Sequence, residues 1–530
     1  MSSLIIHNAQ LLSFHEGGVP SAADAIAIKG DLIEAIGTLE DLMPLIDAST
    51  QLIDAGGKTL MPGFNDTHIH LWKVGNLKTF MLDLRPAGSL DEMLSLLESY
   101  GEQHPELPWI TARGFNEAAW KEGRLPTCAD LDKVIKNKPV YVIRTCAHIG
   151  VANTKAMELC GINSRVRVPA GGVAYKSSGG ALNGVFSETA LSLIADHLPA
   201  YTKSQLKQMV RAARDEMYRY GITAATDPAV DPLLLEAYYE MHDASELGFR
   251  LNALPIILPD GGEKPYAVPE TFSSAYFNVN TVKFFSDGGL SGKTSALKKY
   301  YKNTREQGVL RLKKDQFLRL SVRAMEKGWG VATHAIGDAA IEMVLDVYKT
   351  LHKDFKNNIK RIEHLGLPEE KDLIDMAAHQ VAASMQTIFI AELGKNFIRY
   401  LDEEYLDRCY PVKTVLKHGI LTALSSDAPV VSDFNPLTGA KAAVTRQTNE
   451  GAVIASGERI TIEEALKSYT IGAAAISGAH QMGALAKNKW ADLILLSKNP
   501  LSTAPEELHT ISVEKTFVGG KCVWESAKKN

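Results

Sequence analysis

The chain has 530 residues, 45% of them hydrophobic and 22% charged, which suits a globular protein larger than one small core. A formal net charge of -5 gives no electrostatic reason to expect nucleic acid or an anionic membrane as partner. Five scattered cysteines without a C-x-x-C pair argue against a disulfide framework or a thiolate zinc site, and a reducing compartment is expected.

The first residues, "MSSLIIHNAQLLSFHEGG", lack a basic leader region, and no stretch approaches the ~18 uninterrupted apolar residues of a membrane span. The expected location is the cytoplasm. Short strands are predicted in "SLIIHNAQLLS", "DAIAIKGDLIEAIG" and "TQLIDAGGKTLMPG", and again near the end in "ADLILLSKNP" and "VEKTFVGGKCVWES". Residues 1–58 and 485–530 are therefore expected to form one small composite β-sandwich domain.

Between them, residues 59–484 alternate strand and helix patterns. Eight strand candidates occur: "KTLMPGFND", "GITAATDPAV", "FRLNALPIIL", "NVNTVKFFSDGG", "GWGVATHAIGD", "IKRIEHLGLP", "QVAASMQTIFI" and "ILTALSSDAPV". That alternation predicts an α/β fold, a (β/α)8 TIM-like barrel. Roughly 150 residues separate the first two candidates, far beyond ordinary loops, so a large insertion after strand one (about 73–215) is expected over the barrel mouth.

"GFNDTHIHLW" places His68 and His70 one residue apart at a strand end, where i and i+2 side chains share a face. A lone His-x-His is more often a solvated turn. Downstream, however, Lys283 lies in strand four, His334 ends strand five, His364 ends strand six and Asp427 ends strand eight. Catalytic groups of such barrels come from the C-terminal ends of strands, so six potential ligands meet one rim. Neutral imidazoles and a carboxylate suit Zn²⁺, and by ligand type also Mn²⁺, Fe²⁺ or Co²⁺.

"PGFNDTHIH", the strand-four lysine, the two strand-end histidines and the strand-eight aspartate resemble the amidohydrolase superfamily. "VKFFSDGGLSG", "THAIGDAA", "RIEHLGLPE" and "SSDAPV" resemble its YtcJ-like branch, which includes the N-substituted formamide deformylases. The resemblance covers nearly the whole chain. It implies two divalent metal ions, with zinc the first choice: His68, His70 and Asp427 on one, His334 and His364 on the other. Lys283 would bridge them as an Nζ-carboxylate, because an ammonium has no acceptor to offer a metal.

The implied activity is a hydrolase acting on carbon–nitrogen bonds other than peptide bonds, with a small amide such as an N-substituted formamide as substrate. Activated water attacks the carbonyl, and Asp427 acts as general base and then general acid. A lactonase or other ester hydrolase would use the same centre. A deaminase is a further alternative, although "HAIGD" lacks the His-x-x-Glu of mononuclear deaminases, and a catalytically inactive scaffold is a third class. Weaker substrate-side candidates are Trp72, Phe115, His148 and Asp287, the last also able to support a metal-bound histidine. Asp338 reads as a helix cap. Superfamily analogy suggests a homodimer.

Overall fold

The computed structural model describes residues 2–117, 120–145, 149–169, 172–260, 262 and 264–527. It divides into two compact units, residues 1–71 with 214–530, and residues 72–213.

In the first unit eight short strands pair in parallel: β1 (Phe64–Asp66), β2 (Ile222–Val230), β3 (Arg250–Pro255), β4 (Thr281–Phe285), β5 (Gly330–Ala335), β6 (Lys360–His364), β7 (Ala382–Met385) and β8 (Thr422–Leu424). β1–β2–β3 lie in one sheet and β4 to β8, in order, in another. A parallel bridge between Ile256 and Lys283 links β3 to β4. At the other edge Asp427 N–H donates to His68 O (2.7 Å) and His70 N–H to Ala428 O (2.9 Å), so the chain leaving β8 runs beside the chain leaving β1. These strands are buried on both faces, which is why they read as near-continuous apolar runs.

Amphipathic helices connect them: α1 (Pro232–Asp243) after β2, α2 (Lys314–Met325) after β4, α3 (Asp338–His352) after β5, α4 (Glu370–Ala378) after β6 and α5 (Ile388–Tyr400) after β7. α1 starts where the Asp231 side chain accepts from Leu234 N–H and Pro232 takes the first helical position. α3 buries Ile341, Val344, Leu345, Tyr348 and Leu351, the spacing of one helical face. Asp338 is its first residue rather than its cap, and its carboxylate accepts from Lys298 N–H and the Tyr405 hydroxyl.

The same unit contains two further sheets. One joins Leu32–Gly37, Ala25–Lys29, Leu4–His7 and Gln51–Asp54; the other joins Gln10–Leu11 and Thr59–Pro62 to Leu493–Leu496, Val513–Val518 and Lys521–Glu525. Ile6, Ile26 and Ile28 share one buried cluster with Leu60, Leu493 and Phe517. The predicted strand "KTLMPGFND" is thus two strands, Thr59–Pro62 pairing with Leu493–Leu496 and Phe64–Asp66 pairing with β2. Gly63 divides them, where a Cβ would stand 2.2 Å from Thr223 Oγ1.

Arg250, opening β3, ties the two regions of this unit together. Its guanidinium forms a two-pronged ion pair with Asp492 (Nη2–Oδ1 2.9 Å, Nε on Oδ2), donates to Ala275 O, and lies 3.7 Å over the Trp490 ring.

The second unit has its own six-stranded sheet, in the order Val173–Lys176, Leu182–Ser187, Ile149–Ala152, Val140–Arg144, Ile110–Phe115, Met81–Asp83. One face packs Met93, Leu97, Phe115, Leu131 and Val142, the other Trp109, Tyr141 and Phe186. Among the described residues no helix is long and apolar enough to cross a membrane.

Candidate metal centre

The strand ends of the first unit bring His68, His70, Lys283, His334, His364 and Asp427 into one neighbourhood. Ligand atoms of His68, His364 and Asp427 all lie within 4.8 Å of one another, and all three residues are buried. Asp427 Oδ1 is 3.4 Å from His68 Nε2 and 3.3 Å from His70 Nε2. The His364 ring sits between two others, 4.8 Å from that of His68 and 4.4 Å from that of His334. His364 therefore neighbours the His68–Asp427 group as well as His334, with which the family resemblance pairs it.

Backbone strain gathers here. His364 (φ 77°), Leu365 (φ 48°) and Asp427 (φ 58°) occupy the left-handed region without being glycine, at a cost of order 1–3 kcal/mol each. The surrounding hydrogen bonds hold that geometry, including Asp427 N–H on His68 O and the Asp66 carboxylate accepting from His68 and Ser426 N–H.

Each imidazole has one nitrogen directed at an acceptor. His68 Nδ1 meets Glu363 Oε2 at 2.5 Å, and His364 Nδ1 meets Gln386 Oε1 at 2.6 Å. A carboxylate and an amide oxygen can only accept, so both Nδ1 atoms carry the proton and both Nε2 lone pairs are left for a ligand. His334 Nε2 faces Gly288 O (3.2 Å) and Asp287 Oδ1 (3.3 Å). Although burial alone would raise the Glu363 carboxyl, Arg361, His68 and Lys283 together hold it well below the usual range. Arg361 also donates to Thr67 O, pinning β6 to the end of β1.

Lys283 is fully buried in β4, and its Nζ has no hydrogen-bond partner among the described residues. Burial pulls its pKa down to about 8, against the opposing pull of Glu363 and Asp427. A buried amine with a lowered pKa keeps a larger neutral fraction, which is a nucleophile and, once carboxylated, a bidentate oxygen donor. The donor set fits a divalent cation: imidazole nitrogens with fixed tautomers, a carboxylate and an orphaned amine.

Burial, with Lys283 next in effect, holds His68 down at about 4. Between that value and the ordinary 6.5 the unfolded chain is protonated at this ring and the folded one is not. Its contribution to stability is therefore complete above 6.5 and lost as pH falls towards about 4. Asp66 acts with opposite sign, since burial raises it to about 7 and its contribution declines as pH rises towards that value. In thermal melts of chelator-treated protein from pH 7 to 4, His68→Gln should lose less stability than wild type. Parallel curves would remove the linkage.

Glu363, Gln386, Asp66, Arg361 and Asp227 are the neighbours that the sequence reading passed over. A signal existed for two: in "RIEH", Arg361 and Glu363 are two apart in a buried strand and so share a face. Of the substrate-side candidates, Asp287 is fully buried and accepts from Ala296, Ile336 and Gly337 N–H. Trp72 and Phe115 belong to the second unit. Trp72 stands edge-on to Tyr201, and Phe115 is wholly buried in that unit's core against Trp120. His148 lies outside the described residues.

His68, His364 and Asp427 form a buried group able to hold a metal ion, with Lys283 buried in β4. The chain belongs to the amidohydrolase family, whose profile matches residues 51–524. It is 28% identical to the Bacillus subtilis (strain 168) protein YtcJ, which carries an amidohydrolase name, over 95% of this chain and 96% of that one. It is also 28% identical to an N-substituted formamide deformylase of Arthrobacter pascens, over 99% of each chain. A solved metal-dependent hydrolase from Pyrococcus horikoshii OT3 superposes with a TM-score of 0.78 at 25% identity, covering 95% of this chain and 99% of that one.

Proposed function

We propose that this protein is an amidohydrolase with two divalent metal ions, zinc first among them, that cleaves the carbon–nitrogen bond of a small amide such as an N-substituted formamide. The observation that carries this reading is the convergence of His68, His364 and Asp427 ligand atoms within 4.8 Å, in a buried site. Likeness to the formamide deformylase over the full chain supports the substrate class. The eight parallel strands are read as one closed (β/α)8 barrel, supported by the β3–β4 bridge and the His68–Asp427 backbone bond. The two sheets sharing one apolar cluster are read as a composite β-sandwich of both termini.

When bound, such cations activate water and polarise a carbonyl oxygen. The chain's own part is to hold and to move protons. Glu363 and Gln386 keep His68 and His364 in the tautomer that leaves Nε2 free. Lys283, uncharged in part because burial disfavours its ammonium, adds through its Nζ lone pair to the carbon of CO₂. A nitrogen–carbon bond forms, a carbon–oxygen π pair moves onto oxygen, and the amine proton leaves to solvent. Asp427, facing His68 and His70, takes a proton from the attacking water and returns it to the departing amine nitrogen.

Elemental analysis of protein purified with zinc and bicarbonate should give about two metal ions per chain, falling after chelation, with activity lost and restored in parallel. Formamides, N-acyl amino acids, cyclic imides and lactones should be offered together. Turnover of formamides supports the reading, whereas metal-free protein that hydrolyses nothing sinks it.

A further inference from the structure

The His70 ring stands between two carboxylates. Its Nε2 is 3.3 Å from Asp427 Oδ1, and its Nδ1 is 4.0 Å from Asp227 Oδ1. The placement follows from the backbone: Ile69 N–H, in the chain leaving β1, donates to Thr226 O in β2, so the next residues, His70 and Asp227, run on side by side. Asp227 is 1% exposed, and its Oδ2 accepts a 2.5 Å hydrogen bond from the Tyr238 hydroxyl on α1. Tyr238 is itself fully buried, its ring 6.2 Å from that of Phe277.

A phenol donor on Oδ2 fixes the rotation of the carboxylate and turns Oδ1 towards the imidazole. An anionic oxygen facing Nδ1 favours the tautomer with its proton there and leaves the Nε2 lone pair on the Asp427 side. A small turn of the ring would close the 4.0 Å gap to hydrogen-bond length. Glu363 already stands in that relation to His68. The two imidazoles of the His-x-His pair would then each be backed by a buried carboxylate, from β6 and from β2.

We propose that Asp227, oriented by Tyr238, is the positioning residue that fixes the His70 ring with Nε2 towards the cation. This rests on the reading of the cluster as a metal centre. Asp227 touches no reacting atom and acts only through His70.

The test is zinc affinity of the stripped full-length protein, measured by competition with a chromophoric chelator. Asp227→Ala should weaken the tighter zinc by about 10–100-fold, and Tyr238→Phe should weaken it less but in the same direction. Tyr218→Phe is the control: it removes another phenol bond, to Gly248 O, away from the ligands, and should leave zinc affinity unchanged. A structural role alone would shift melting in all three variants without separating them by zinc affinity. The Co²⁺ absorption spectrum should change in Asp227→Ala and Tyr238→Phe but not in Tyr218→Phe. Should Asp227→Ala fail to fold, the milder Tyr238→Phe carries the test. If both bind zinc like the wild type while His70→Ala loses it, the positioning role is overturned and the metal centre stands. If the wild type binds no zinc, the underlying reading itself fails.

Discussion

Asp427→Ala is expected to purify folded, to bind less metal, and to lose at least about 10²-fold in turnover even when metal is supplied in excess. The two losses have separate origins in one side chain. Oδ1 lies within 3.4 Å of both His68 Nε2 and His70 Nε2, so removing it takes a ligand from the position those rings face. The same carboxylate is the proton carrier of the proposed reaction, and excess metal cannot replace that. Asp427→Asn separates them, since an amide oxygen can still ligate but cannot accept the proton. Activity near wild type in metal-saturated Asp427→Ala would dismiss the assignment.

Arg250→Ala is expected to cost about 3–5 kcal/mol of stability, the range found when one partner of a buried ion pair is removed. Arg250 and Asp492 side chains are 3% and 4% exposed. Without the guanidinium the Asp492 carboxylate keeps only the Gly519 N–H among the hydrogen bonds described for it, and Trp490 loses the cation stacked on its ring. Denaturant unfolding should show an earlier midpoint, and Asp492→Leu added to Arg250→Met should recover part of the loss, because no unpaired charge then remains buried. A single-variant cost below about 1 kcal/mol would show that water reaches the pair.

The candidate ligands were legible because most of them sit at strand ends, and strand ends can be read from apolar runs bounded by Gly, Asp and Pro. His68 and His70 in "THIH", His364 in "RIEH" and Asp427 in "SSDAPV" carry that mark; the structure gathers His68, His364 and Asp427, with His70 against Asp427. Their supporting groups were not legible. Gln386 follows β7, 22 residues beyond His364, and nothing in "SMQTIF" distinguishes it from a turn residue. Asp227 lies inside "TAATDPAV", where its partner Tyr238 is on the following helix. Phe115, a weaker substrate-side candidate in "RGFNEAAW", has its ring in the buried cluster beside a six-stranded sheet, and burial of that kind is set by packing. The segment expected as an insertion forms that sheet, with its own two apolar faces.

By itself the sequence determined the strand–helix alternation, the six candidate ligands and the family, because periodicity and short motifs are local properties of a chain. Only the tertiary structure decided which nitrogen of His68 and His364 is left for a ligand, that His364 stands between His68 and His334, and that Lys283 Nζ has no hydrogen-bond partner among the described residues. Those facts depend on distances of a few ångströms between residues tens to hundreds of positions apart. Such distances are set by how strands pack and pair, which no single stretch of sequence encodes.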